Sequence, residues 1–234
     1  MTDDKLKPDQ RSLDLWSAVD HYFSKQLSLS DLALDEAMAA NKAAQLPAID
    51  VAPNQGKLLQ LLAQLAGARR ILEIGTLGGY STIWLASALP AGGRLITLEF
   101  SPKHAEIARA NIARASLAEL VEIRVGAALD TLPKLHNESK EPFDLIFIDA
   151  DKPNNSEYLR WAIKLSRSGT LIIIDNVVRD GAVIDATSTD KDVQGARQLF
   201  ELLANEPRLS STAIQTVGSK GYDGIAFAIV SADH

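Results

Sequence analysis

Apolar and polar positions follow different periods along the chain. In the first 50 residues, apolar side chains recur three and four positions apart, the spacing of one helix face. The residues on this face are Leu13, Trp16, Val19, Tyr22, Phe23 and Leu27. Such a stripe indicates a packed core helix or an interface with a second copy more readily than a substrate clamp. Pro47 and Pro53 then bracket a predicted extended linker, and a further helix is predicted over 56–66.

From residue 69 onward, short apolar runs alternate with helical segments. Strands are predicted at 69–75, 94–100, 120–125, 143–149 and 170–175, and the helices between them at 79–89, 102–115, 127–136 and 154–167. Strands that alternate with helices form right-handed βαβ units around a parallel sheet. The sequence therefore predicts an α/β fold.

The last part of the chain has a different pattern. A helix predicted at 191–205 is followed by two strand-like runs, 211–217 and 224–230, with a turn-rich segment between them. This order predicts a hairpin, so that one strand runs antiparallel to the rest. The long polar segment 177–192 is a candidate lid, because long loops beside a site are often functional.

Composition narrows the class of protein. The 234 residues, 46% of them hydrophobic, suit one large α/β domain or two small ones. A net charge of −6 argues against a nucleic-acid binder, which would show a basic patch. No run approaches the ~20 apolar residues of a membrane span. With no cysteine and no apolar signal core at the polar N-terminus, a cytoplasmic protein is expected.

Two of the predicted strands end in oxygen ligands. One ends at Asp149, with Asp151 and Lys152 just beyond, and the other ends at Asp175 and Asn176. The carboxyl ends of parallel strands meet in the crevice where ligands bind. Hard oxygen ligands suit Mg²⁺, and also Mn²⁺ or Ca²⁺, better than Zn²⁺. The alternative is that Asp175 is only a turn or cap residue.

A glycine-rich turn follows the first predicted strand. Its glycines, 75, 78 and 79, let the backbone approach a ligand closely. The middle glycine of the nicotinamide fingerprint G-x-G-x-x-G is missing, and Glu73 before the turn suits a cationic ligand. Glu99, at the end of the next strand, can accept both ribose hydroxyls of an adenosine. The alternative is a tight turn that holds no ligand.

Together these motifs resemble the cation-dependent class I O-methyltransferases, the family of caffeoyl-CoA and catechol O-methyltransferases. The resemblance implies a Rossmann-like, seven-stranded, mostly parallel sheet with an antiparallel last strand and helices on both faces. It implies S-adenosylmethionine as methyl donor, a homodimer, and a division into an N-terminal helical segment, 1–50, that covers the substrate or contacts the second copy, and a methyltransferase domain, 51–234. The donor-contacting positions it implies are Val51, Glu73, Gly75, Thr76, Ser81, Glu99, Ala128, Asp149 and Asp151.

The same resemblance assigns the chemistry. It implies Asp149, Asp175 and Asn176 as metal ligands, Asp149 and Lys152 as catalytic residues, and Lys152 as the general base. Asp180 stands where the plant enzymes carry a substrate-contacting asparagine, which argues against a coenzyme A thioester. A phenol ionises near pH 10, so a divalent ion that chelates two vicinal oxygens would stabilise the phenolate. A like charge nearby would also disfavour the ammonium form of Lys152, although a solvated loop lysine is the alternative.

The predicted function is therefore metal-dependent O-methylation of a small catechol-type phenol. The alternatives are a nicotinamide-dependent dehydrogenase, which lacks its glycine here, and a non-catalytic nucleotide-binding scaffold. The histidines show no metal-ligand spacing, and His104, just after a Ser-Pro helix start, is expected on the surface.

Overall fold

The computed structural model describes residues 8–138 and 141–231; residues 1–7 of the predicted N-terminal segment lie outside this part. Three helices come first: α1 (Gln10–Gln26), α2 (Leu32–Ala43) and α3 (Pro53–Leu65). The carboxylates of Asp9 and Asp31 cap α1 and α2 by accepting backbone N–H groups. Pro53 opens α3, where its missing N–H costs nothing, so the predicted linker is shorter than expected.

Seven strands form one sheet. They are β1 (Arg70–Ile74), β2 (Arg94–Glu99), β3 (Val121–Val125), β4 (Phe143–Ile148), β5 (Ser166–Asp175), β6 (Leu209–Gly218) and β7 (Gly221–Val230). Their order is β3-β2-β1-β4-β5-β7-β6. Strands β1 to β5 pair in parallel, whereas β7 runs antiparallel to both β5 and β6. The predicted seven-stranded sheet with an antiparallel last strand is confirmed.

Helices cover both faces of the sheet, as predicted. The remaining helices are α4 (Tyr80–Ala86), α5 (Pro102–Arg114), α6 (Ala128–Glu138), α7 (Asn155–Lys164) and α8 (Lys191–Asn205). Successive residues of a strand point to opposite faces. Leu145 and Phe147 of β4 accordingly pack with α3, α4 and α5, and Ile146 and Ile148 pack with α6, α7 and α8. The helix predicted over 154–167 ends earlier, because Ser166 already pairs with Phe143.

The strand order places a crevice beside β1 and β4. The chain moves outward from β1 through β2 to β3 and then returns to β4 on the other side. Ligands bind at such a switch point, outside the carboxyl ends of the strands. The Gly-rich turn, Glu99 and Asp149 all follow strands that end there.

Helix α1 lies at the outside of the molecule. Asp20 is its only buried residue, and its side chain accepts hydrogen bonds from Asn54 and from the backbone of Ser219. Much of the apolar stripe is exposed, including Tyr22 at 60% and Leu27 at 66%. The stripe is therefore not a core face within this chain. In the described part of the chain, no helix is both long and apolar enough to cross a membrane.

Candidate active site

A cavity of about 770 Å³ opens at the carboxyl ends of β1, β2 and β4. Most of the predicted donor-contacting residues line it, namely Val51, Gly75, Thr76, Ser81, Glu99, Ala128, Asp149 and Asp151. Lys152 and Asn176 line the same cavity. The fold thus brings together residues that span 125 positions of the sequence, from Val51 to Asn176. A cavity of this size is in the range of small-molecule and cofactor sites.

The ends of two strands approach each other so closely at this turn that position 75 must be a glycine. A Cβ built on Gly75 would lie 2.0 Å from the carbonyl oxygen of Asp149, and φ at Gly75 is +99°. Only glycine accepts both conditions. The end of β1 can therefore lie directly against the end of β4, where the donor and metal positions are predicted to meet.

Glu73 lies beneath this turn and not on the cavity wall. Its carboxylate is fully buried and accepts hydrogen bonds from Ser81 Oγ at 2.6 Å and Thr82 Oγ1 at 2.5 Å. Burial raises the pKa of Glu73 from 4.5 to about 7, against the opposing effect of these hydrogen bonds. Glu73 therefore anchors the first turn of α4, and its predicted contact with the donor stays a prediction.

The Glu99 carboxylate accepts several hydrogen bonds from backbone N–H groups of its own chain. Its Oε2 accepts the backbone N–H groups of Thr76 and Leu77 at 3.2 and 2.8 Å, and its Oε1 accepts that of Ser101 at 2.8 Å. These bonds join the end of β2 to the glycine turn. The Glu99 carboxylate is thus fixed on the wall of the cavity before any ligand arrives.

His104 is a residue that the sequence analysis placed wrongly. It was expected on the surface, but it lines the cavity and its Nδ1 lies 3.2 Å from Glu99 Oε1. Ser101 caps α5, and the first helical turn then carries position 104 back over the strand end. The short distance in sequence between Glu99 and the helix start could have indicated this. Phe100, which also lines the cavity, was missed as well.

Two of the predicted metal ligands, Asp149 and Asn176, line the same cavity as Lys152, and the third, Asp175, lies beyond it. Lys152 Nζ is 2.9 Å from Asp149 Oδ1, and Lys152 is only 7% exposed, so it is not a solvated loop lysine. Asp175 is 4% exposed and accepts hydrogen bonds from Gln55 Nε2 at 2.5 Å and from the backbone N–H of Asn176. It lines a second cavity of about 370 Å³, which also reaches Asn176. The two cavities therefore meet at Asn176.

The buried carboxylate of Asp175 lies near a second carboxylate, Asp149, whose side chain is 24% exposed. Burial raises the pKa of Asp175 to about 7, with the nearby negative charge of Asp149 as the second cause and Lys152 opposing it. Within residues 8–138 and 141–231, no three His, Cys, Asp or Glu side chains form a metal-type cluster. Two carboxylates and one amide oxygen nevertheless suit Mg²⁺, which usually binds one or two carboxylates and keeps several waters. The residues present fit a hard divalent cation.

Asp151 is held by two neighbours. Tyr158 donates its hydroxyl to Asp151 Oδ1, and Asn154 Nδ2 donates to Oδ2 at 2.5 Å. Tyr158 is buried, lines the cavity and has its pKa raised by burial and by the Asp151 hydrogen bond. The sequence analysis did not identify Tyr158. Its position seven residues after Asp151 corresponds to about two helical turns, a spacing that returns a side chain to the same face.

The loop after β5 turns a different residue toward the cavity than predicted. Asp180 is exposed and is not among the lining residues, whereas its neighbour Arg179 is. Arg179 pairs with Asp192 at 3.1 Å and with Asp223 at 3.5 Å. Asp223 also accepts the backbone N–H of Arg179, which fixes the loop. The predicted substrate contact of Asp180 stays a prediction.

Known proteins resemble this chain in sequence and in fold. The family model for O-methyltransferases matches residues 24–229. A catechol O-methyltransferase from Niastella koreensis is 56% identical over 92% of this chain and 98% of its own length, and one from Mycobacterium tuberculosis is 53% identical over 91% and 94%. The structure of an O-methyltransferase from Bacillus cereus in complex with SAH superposes with a TM-score of 0.92 at 62% identity, covering 94% of this chain and all of that one.

Proposed function

Because the chain belongs to the O-methyltransferase family, whose members use S-adenosylmethionine, we propose that it methylates one hydroxyl of a small catechol-type phenol with the help of a divalent cation. The observation that carries this proposal is the position of Lys152 and Asp149, 2.9 Å apart in the same cavity as Glu99. The proposed proton acceptor and the proposed ribose-binding carboxylate then line one cavity, and the proposed cation ligands lie where it meets the second cavity. The names of the catechol-methylating relatives support the acceptor class.

The donor occupies the part of the cavity beside β1 and β2 in this proposal. Glu99 accepts the ribose hydroxyls, and the turn around Gly75 and Thr76 surrounds the methionine portion with Val51 and Ser81. Ala128, the first residue of α6, lies at the adenine side, and Asp151 contacts the donor. His104 and Phe100 extend the wall next to Glu99.

The cation would be held by Asp149, Asp175 and Asn176. Mg²⁺ is the preferred ion, with Mn²⁺ or Ca²⁺ possible on the same oxygen ligands. A bound divalent ion supplies charge stabilisation of a phenolate and a template for two vicinal oxygens. Support comes from the mutual repulsion of Asp149 and Asp175, since a cation would relieve it.

Lys152 takes the proton in this mechanism. The phenolic O–H bond breaks toward Lys152 Nζ, the phenolate oxygen forms a bond to the methyl carbon, and the methyl–sulfur bond breaks to leave S-adenosylhomocysteine. Such a displacement requires the oxygen about 3 Å from the methyl carbon. Lys152 is well placed because burial and the contact with Asp149 restrict its side chain.

The test is a methylation assay with labelled donor on matched acceptors. A catechol, the monophenol that lacks one hydroxyl, and the monomethylated catechol are compared, each with Mg²⁺ and with excess chelator. We expect turnover of the catechol only, lost in chelator and restored by Mg²⁺ or Mn²⁺. Equal turnover of the monophenol, or full activity in chelator, would contradict the proposal.

Two other functions are set aside. A nicotinamide-dependent dehydrogenase and a non-catalytic nucleotide-binding scaffold were compatible with the fold, but the family transfers methyl groups. The expected cytoplasmic location and the absence of nucleic-acid and membrane partners stay predictions.

We also propose that the protein is a homodimer, with the exposed stripe of α1 as part of the contact. Its exposed members are Val19, Tyr22, Phe23 and Leu27, and Leu15 beside them is exposed as well. Contiguous apolar surface of this kind marks interaction sites. Sedimentation should give twice the chain mass of 25.3 kDa, and Tyr22→Glu should shift it toward the monomer. A monomer at micromolar concentration would refute the dimer.

A further inference from the structure

A buried chain of polar side chains joins α2 to the glycine turn. Asn111 of α5 donates from Nδ2 to the carbonyl oxygen of Gly78 at 2.8 Å and to Asn41 Oδ1 at 3.0 Å. Asn41 of α2 in turn donates from Nδ2 to Asp50 Oδ1 at 2.8 Å. All three side chains are buried, Asn111 completely. We call Asn41, Asp50, Gly78 and Asn111 the asparagine network.

The side-chain hydrogen bonds that lead from Asn111 through Asn41 to Asp50 all point the same way. Arg114 Nη1 donates to Asn111 Oδ1 at 2.7 Å, and Arg114 Nε lies 3.3 Å from Glu36 of α2. The donors therefore run from the Arg114 guanidinium through both amides to the Asp50 carboxylate. Aligned hydrogen bonds in a low-dielectric interior polarise one another, so the loss of one weakens the rest.

The fit between α2 and the turn leaves no spare room. A Cβ built on Gly78 would lie 1.9 Å from Asn41 Oδ1. Helix α2 consequently docks directly on the backbone of the turn whose other residues, Gly75 to Leu77, line the large cavity. The opposite end of the asparagine network, Asp50, lines that cavity as well, next to Val51.

We propose that Asn41 and Asn111 are positioning residues for the methyl donor, which preset the distance between two walls of its cavity. One wall is the glycine turn and the other is the Asp50–Val51 segment. If the network is broken, the donor must order both walls itself, and that cost reduces its affinity. By thermodynamic reciprocity, donor binding must then strengthen the docking of α2. This inference rests on the donor site of the proposed function.

Exchanging the amide of Asn41 and the carboxylate of Asp50 tests this positioning role with almost no change in side-chain volume. Asn41→Asp sets a second carboxylate against Asp50 and should weaken S-adenosylhomocysteine binding at least about tenfold, the factor that one buried hydrogen bond corresponds to. The double variant Asn41→Asp with Asp50→Asn restores the bond with its direction reversed. Calorimetry should show affinity recovered to within about threefold of wild type.

The control removes a buried hydrogen bond far from the cavity. Thr170→Ala loses the bond from Thr170 Oγ1 to the carbonyl oxygen of Phe143, at 2.7 Å, together with the bond that Oγ1 accepts from the Arg167 backbone N–H, and should leave the affinity unchanged. The wild-type protein provides a second measurement, because bound S-adenosylhomocysteine should slow amide exchange in residues 32–43.

Each outcome decides one point. Failure of the wild type to bind S-adenosylhomocysteine would overturn the donor site and this inference with it. Wild-type binding together with normal affinity of Asn41→Asp, no recovery in the exchanged pair, or unchanged exchange of α2 would overturn only the positioning role. Recovery in the exchanged pair supports it, since a direct contact through the Asp50 charge would not survive the exchange.

Discussion

Two pairs of carboxylates lie at the strand ends, and they are held in opposite ways. Glu73 near the end of β1 and Glu99 at the end of β2 accept hydrogen bonds from hydroxyl and backbone N–H groups of the segments that follow β1 and β2. Asp149 just after β4 and Asp175 at the end of β5 lie near each other, and the contacts that hold them include the Lys152 amine and the Gln55 amide. The first pair is held by hydrogen-bond donors of the neighbouring chain segments, whereas the second sets two carboxylates against one amine, an excess of negative charge that a cation would balance.

The difference indicates two kinds of binding. The donor half is preorganised by local hydrogen bonds, so its affinity should respond to single contacts. The metal half holds two like charges, that of Asp175 buried, and such charges are costly unless paired, so its function should depend on the cation in an all-or-none way. Four variants, one at each carboxylate or at its partner, test this comparison, beginning with the largest expected effect.

Asp175→Ala should abolish turnover while the donor still binds. Loss of the cation's charge stabilisation is worth several kcal/mol, so the rate should fall by roughly a thousandfold. The measurement is the rate of catechol methylation, together with calorimetry of S-adenosylhomocysteine. If added chelator lowers the residual rate of the variant much further, Asp175 is not required for cation binding.

Lys152→Ala should lower the rate most at low pH. General-base catalysis contributes about 10²–10⁴-fold, but less where the phenol is already ionised. The ratio of wild-type to variant rate should therefore shrink as the pH rises from 6 to 10. Lys152→Arg, which keeps the charge beside Asp149, is the matched control and should show the same trend. A constant ratio would make Lys152 a positioning residue.

Glu99→Ala should weaken donor binding at least about tenfold without unfolding the protein, since hydrogen bonds to a charged group are worth about 1.5–3 kcal/mol each. Glu99→Gln is the control for the backbone N–H groups of Thr76, Leu77 and Ser101, because its carbonyl can still accept some of them. Calorimetry decides the matter, and an unchanged affinity in the alanine variant would remove Glu99 from the donor site.

The smallest effect is a pH dependence of stability from Glu73. Its pKa is 4.5 in the unfolded chain and about 7 in the fold, so the folded state keeps the proton over this interval. This group therefore makes the protein less stable as the pH rises from about 4.5 to 7, with no further loss above. As the pH rises over this interval, the melting temperature of the ligand-free Glu73→Gln variant should increase relative to that of the ligand-free wild type. A constant difference would contradict the raised pKa.

Much of the donor half could be predicted from sequence because it is local. The glycine turn follows β1 directly, Glu99 ends the next strand, and alternating apolar runs fix which residues face the sheet's two sides. His104 was the exception, since its place depends on where α5 begins relative to Glu99. A helix boundary that shifts by one residue rotates the following side chains by about 100°.

The sequence by itself determined the order of strands and helices, the glycine requirement at the turn and the chemical type of each candidate ligand. Tertiary structure alone decided which distant residues meet them: Gln55 on Asp175, Asn41 on Gly78, and Arg179 in place of Asp180 at the cavity. The physical reason is the separation along the sequence over which each effect acts. Periodicity and turn chemistry act over a few residues, whereas these contacts depend on how helices pack across the sheet and on the backbone conformation of one loop.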